Sequence, residues 1–215
     1  MDLKGMKTGS TKEQLLLLDH QIEHFEKMSR SLMESSNLGR RFKDRTFDNF
    51  KVEYQPEAYA KAYEYAKDFE DNRGNGLMMI GNAGTGKTHL AAAITHYVIE
   101  EFGATVKFGC FTDILTDIKK SFSTDEDIVR QLKEVPLLVI DDLGKERQSE
   151  WSDSILYEVI NSRYEDYMPT IITTNLNPKQ LEARFGEAIL SRLFEMCDAI
   201  NMSGTDIRKA ERGKR

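Results

Sequence analysis

One run, Gly81-Asn82-Ala83-Gly84-Thr85-Gly86-Lys87-Thr88, constrains this chain more than any other. It fits G-x-x-x-x-G-K-[ST], a glycine-rich loop whose backbone N–H groups wrap a polyphosphate. Such a loop is meaningful only between a strand and a helix, and the flanks supply both. Leu77-Met78-Met79-Ile80 precedes it as an apolar run of buried-strand length, and an alanine-rich segment from His89 to Glu101 reads as a helix. Gly81, Gly84 and Gly86 let the chain turn inward, and the phosphates then lie at the positive end of the helix dipole. Lys87 is expected to reach the β- and γ-phosphates and the Thr88 hydroxyl to hold Mg²⁺. The expected nucleotide contacts are therefore Gly81, Asn82, Ala83, Gly84, Thr85, Gly86, Lys87, Thr88 and His89.

A second constraint is the alternation of short apolar runs with helical segments. Strands are expected at Leu77–Ile80, Thr105–Cys110, Leu137–Asp142, Thr170–Thr174 and Ala199–Met202, and helices over residues 11–35, 56–70, 112–121, 125–132, 150–167 and most of 178–197. That order predicts an α/β three-layer P-loop domain with a mainly parallel sheet, preceded by an N-terminal helix that Thr11 could cap. Two units follow: residues 1–45, an N-terminal helix and basic linker suited to a partner contact, and residues 46–215, the nucleotide-binding domain. Residues 1–10 are expected to be disordered. Thr46-Phe47-Asp48-Asn49-Phe50 places two aromatics where they can pack the linker onto the domain. Arg40-Arg41-Phe42-Lys43-Asp44-Arg45 reads equally as a solvated linker or as a contact to nucleic acid or nucleotide.

The chemistry continues at strand ends. Leu137–Asp142 is an apolar run closing on two acids, and ligands collect at the carboxyl ends of strands in such sheets. Asp141 is expected beside Thr88 as a metal ligand, and Asp142 is placed to orient the attacking water. Asn175, leaving the next strand in Thr173-Thr174-Asn175, is a candidate to sense the terminal phosphate. Arg192 and Arg208 could offset charge developing on the phosphates, one of them across a subunit interface. His20 and His24 share a helix face but lack a third ligand, and read as a solvated face.

Composition excludes several alternatives. The formal net charge of −6 argues against a generally basic nucleic-acid binder, so any such contact must come from a local patch such as the basic tail after Thr205. Two distant cysteines support neither a disulfide framework nor a cysteine zinc site. No apolar run has the length of a membrane span, and a cytoplasmic location is the expectation. A GTPase is disfavoured because no N/T-K-x-D tetrad is present.

Taken in order, Gly81–Thr88, Leu137–Gly144, Thr170–Asn175, Ser191-Arg192-Leu193 and Gly204–Arg208 resemble the AAA+ ATPases of the DnaC/DnaI helicase-loader group, with the IstB-like transposition helpers as close relatives. Arg41–Phe50 resembles that group's linker, and Asn161-Ser162-Arg163-Tyr164 matches its wording. The resemblance implies an ATP- and Mg²⁺-dependent ATPase that loads the hexameric replicative helicase onto single-stranded DNA and assembles as an ATP-dependent homo-oligomer. It implies catalytic roles for Lys87, Asp142, Asn175 and the trans-acting Arg192, an ATP contact for Arg208, and little or no helical lid. Lys119 and Lys120 would face DNA. The alternatives are a transposition helper acting with a transposase on duplex DNA, and a nucleotide-switched binding module with negligible hydrolysis.

Overall fold

The structure, a computed structural model, describes residues 9–72, 74–120 and 125–213. Among these, five strands form one parallel sheet: β1 (Gly76–Ile80), β2 (Val106–Cys110), β3 (Leu137–Leu143), β4 (Thr170–Thr174) and β5 (Cys197–Asn201), ordered β2-β3-β4-β1-β5. The helices are α1 (Gly9–Ser35), α2 (Pro56–Lys67), α3 (Lys87–Phe102), α4 (Phe111–Lys120), α5 (Asp125–Glu134), α6 (Glu150–Glu165), α7 (Pro178–Phe185), α8 (Glu187–Met196) and α9 (Ile207–Arg212).

Successive side chains of a strand point to opposite faces, and both faces here are apolar. Leu77 and Met79 of β1 join Val106, Leu137, Val139, Ile171 and Ile200 beneath α2 and α3. Met78 joins Leu138, Ile140 and Ile172 against α4, α5, α6, α7 and α8. This is the three-layer α/β arrangement expected. The end of α1 and the linker belong to the first layer: Leu32, Met33, Leu38 and Phe42 pack on it, and Phe108 N donates to Ser36 O at 2.7 Å. Phe47 and Phe50 are buried as expected, Phe47 meeting Tyr59, Tyr63 and Tyr97 edge-on.

Local signals explain most boundaries. Ser149 and Asn177 each begin a helix with a reciprocal capping box, and Pro178 occupies the first turn of α7. The segment 178–197 is mostly helical as expected, divided into two helices at Gly186, which has φ 84°. Three boundaries need correction. The last strand begins at Cys197 rather than Ala199, in register with Gly76. Thr11 lies inside α1 rather than at its start. Of residues 1–10, expected to be disordered, Gly9 and Ser10 begin α1 instead; residues 1–8 and Ser121 lie outside the described residues.

Candidate nucleotide site

The phosphate loop runs from the end of β1 into α3. Gly84 and Gly86 have φ of 84° and 101°, backbone that side chains resist. A Cβ on Gly84 would come within 2.1 Å of Asp206 Oδ1, and one on Gly86 within 2.7 Å of the Phe50 ring. Lys87 Nζ donates to Gly81 O at 2.8 Å, Asn82 O at 2.7 Å and Asn175 Oδ1 at 2.8 Å. The ammonium is thus folded back over its own loop. Burial pulls its pKa down, against the attraction of Asp142 and Asp141. Thr85 is buried and donates to Asn82 O at 3.0 Å, bracing the turn.

β3 and β4 supply the acidic side. Their ladder breaks between Ile140 and Leu143, and Asp142 adopts φ 56° at that break. Asp142 N donates to Thr173 Oγ1 at 2.9 Å, and that hydroxyl donates to Asp141 Oδ1 at 2.6 Å. Thr88 Oγ1 donates to the same carboxylate at 2.9 Å. Burial pushes the Asp141 carboxyl up, while the Thr173 hydrogen bond opposes it. Thr88 and Asp141 form a hard oxygen pair of the kind Mg²⁺ takes together with phosphate oxygens and waters. Asp142 Oδ1 lies 3.5 Å from Asn175 Nδ2, and Asp142 Oδ2 is paired with Lys145.

A cavity of about 700 Å³ opens between these elements and the linker. Ala83, Gly84, Gly86, Lys87, Thr88, His89, Asp141, Asp142, Asn175 and Arg208 line it. Gly81, Asn82 and Thr85 stand behind it as backbone and bracing. Its other wall is Arg41, Phe42, Arg45, Asn49, Phe50 and Lys51, so the basic knot sits at the pocket. His89 Nε2 lies 2.9 Å from Thr46 O, and Phe50 meets the imidazole edge-on at 5.1 Å between ring centroids. Burial holds the His89 pKa below its usual value. The C-terminal segment closes the loop's far side: Met202 N donates to Ile80 O at 2.7 Å and Ile207 N to Gly84 O at 2.9 Å. Asp206 caps α9 and lies 3.5 Å from the exposed Arg208.

Arg192 is not among the residues lining this cavity. Its guanidinium, on α8, lies 5.4 Å and 5.7 Å from the ring centroids of Tyr157 and Tyr164, and donates to Ala188 O at 2.9 Å. Lys119 sits over the Trp151 ring at 4.5 Å, and Lys120 is exposed. Among the described residues no cluster of three or more His, Cys, Asp or Glu is placed to hold a metal, and no helix is long and apolar enough to cross a membrane.

Sequence reasoning missed Thr173 as the hydroxyl that couples the two aspartates. It also missed Lys145 and the brace behind it, where Glu146 accepts from Gly144 N at 2.9 Å and pairs with Arg184 at 2.8 Å. The three-residue spacing from Asp142 to Lys145 across Gly144 was a readable turn signal.

A family model described as IstB-like ATP binding protein matches residues 4–215. The chain is 31% identical over 184 residues to the phage-like element PBSX protein XkdC of Bacillus subtilis (strain 168), covering 80% of this chain and 69% of that protein. It is 31% identical over 154 residues to the replicative helicase loader DnaC of Escherichia coli (strain K12), covering 69% of this chain. It spans only 62% of that loader's length. A crystal structure of the DnaC helicase loader superposes with a TM-score of 0.71 at 29% identity, covering 76% of this chain and 99% of that one.

Proposed function

The chain belongs to the IstB-like ATP-binding family, and on that premise we propose that it is a Mg²⁺-dependent AAA+ ATPase that loads a hexameric replicative helicase onto single-stranded DNA. The observation that carries the ATPase reading is the convergence of Lys87, Thr88, Asp141, Asp142 and Asn175 from three adjacent strand ends on one pocket. Lys87 exchanges its two loop carbonyls for the β- and γ-phosphates of ATP, and Asp142 and Asn175 hold the attacking water. Thr88 and Asp141 would hold Mg²⁺, which would neutralise charge at the phosphates.

The loader reading draws support from the DnaC relatives. The free half of α1 supports a helicase contact: Leu15, Leu16, Leu17, Leu18, Ile22, Phe25 and Met28 are all exposed. Arg192 stands outside its own pocket, which suits action on the nucleotide of a neighbouring subunit in an ATP-dependent oligomer. Arg208 contacts ATP from the C-terminal side.

The test is ATP turnover by the purified protein with single-stranded DNA, with duplex DNA and without either, using Lys87→Ala as blank, followed by capture of purified replicative helicase. Turnover stimulated chiefly by single strands, with helicase retained, is the expected result. A second reading is a transposition helper: dependence on duplex DNA and retention of a transposase would favour it. ATP binding with no turnover above the blank would leave a nucleotide-switched binding module.

A further inference from the structure

Each carboxylate oxygen of Asp142 has a partner. One carboxylate oxygen faces Asn175 and the other is held by Lys145. A carboxylate that orients water needs an oxygen free to accept from it. The Lys145 ammonium therefore competes with that water for Asp142, though each oxygen keeps a second lone pair.

The pairing is built into the backbone. Lys145 N donates to Asp142 O at 3.3 Å, closing a turn in which Gly144 takes φ 95°. A Cβ on Gly144 would come within 2.4 Å of the Leu176 side chain. Glu146, buried beside the turn, accepts from Gly144 N and pairs with Arg184, which also pairs with Asp153 at 2.9 Å. Lys145 is thus delivered to Asp142 by a turn braced from beneath, while its own side chain is 55% exposed.

We propose that Lys145 is a positioning residue that restrains Asp142 and holds the hydrolysis rate of this chain below what its catalytic groups permit. The inference rests on the ATPase reading above.

Lys145→Met keeps the length of the side chain and removes its charge, and Lys145→Arg keeps the charge. Steady-state ATP turnover of both is compared with wild type and with Lys87→Ala, together with their thermal melts. With a half-exposed ion pair released, kcat of Lys145→Met should rise about two- to fivefold with KM unchanged, while Lys145→Arg stays near wild type. Turnover of Lys145→Met equal to or below that of a clearly active wild type overturns the restraint and leaves the ATPase reading intact. A rise shared by Lys145→Arg also overturns it, because the charge would not be the cause. No turnover above Lys87→Ala in any variant overturns both readings together.

Discussion

Arg163 allows the sharpest test of how this fold is held. The side chain is fully buried, and its guanidinium donates to Thr170 Oγ1 at 2.9 Å, Leu132 O at 2.9 Å, Lys133 O at 3.1 Å, Val135 O at 2.9 Å and Pro169 O at 2.6 Å. None of these partners is a carboxylate. The cation gathers the end of α5 and the entries of β3 and β4, whose far ends carry Asp141 and Thr173. Burial lowers its pKa to about 10. Bonds from a charged donor contribute about 1.5–3 kcal/mol each, against several kcal/mol for taking the guanidinium out of water. Arg163→Met relieves that desolvation but strands the Leu132, Lys133 and Val135 carbonyls at about 1 kcal/mol or more each, while Pro169 O keeps the Leu138 N–H, so the net loss should be about 2–3 kcal/mol. For a chain of this size that is a fall in Tm of about 4–12 °C. Arg163→Lys, with one nitrogen in place of a planar fork, should lose about half as much. Urea and thermal unfolding followed by circular dichroism measure both. A Tm for Arg163→Met within about 2 °C of wild type would show that the stranded carbonyls cost no more than the buried cation did.

Other perturbations test other links. Burial pushes the Cys197 thiol from 9.0 up to about 12. The unfolded chain therefore releases this proton first, and stability present below pH 9 should fall as pH rises, by at most about 1.4 kcal/mol per unit. Arg163 opposes this only above about pH 10, so a urea midpoint that drops between pH 9 and 10 in wild type should drop less in Cys197→Ala. Gly84→Ala forces a Cβ onto Asp206 at a φ of 84°, and should weaken nucleotide binding more than about tenfold while costing about 1–2 kcal/mol of stability. Fluorescent-nucleotide titration beside a melt separates the two effects. Thr173→Val removes the hydroxyl shared by Asp141 and Asp142, and should lower Mg²⁺-supported ATP affinity about tenfold with the fold retained. Titration at several Mg²⁺ concentrations reads this directly, and unchanged affinity would remove Thr173 from the site.

Short-range patterns made most of the fold legible. Leu137–Asp142 and Leu77–Ile80 are apolar on both faces, and that is how strands of a covered parallel sheet read. Gly186 was the exception, because one glycine in a helical pattern does not reveal whether its φ is positive. The phosphate loop is contiguous in sequence, so Lys87 and Thr88 could be placed at once, and Asp141 followed from the strand-end rule. Thr173 could not be read, since a threonine in a strand is ordinary and its hydroxyl matters only through a neighbouring strand. Nothing in the helical pattern around Arg163 marks it as buried, and its partners come from α5 and the entry of β4. The pocket face of Arg41, Arg45 and Phe50 depended on how the linker crosses the domain, which no local pattern specifies.

The seam between the phosphate loop and the C-terminal segment bears on how the protein is made. The Met202 carbonyl lies against Gly81, and Ile207 reaches across to the Gly84 carbonyl. During synthesis the loop leaves the ribosome long before these partners exist, and β1 lacks both of its neighbours until β4 and β5 emerge. The nascent chain therefore presents an incomplete pocket for most of its translation, and the finished site arises only once the segment around Asp206 has docked. Binding competence is a late event in the life of each molecule, set by chain order as much as by composition.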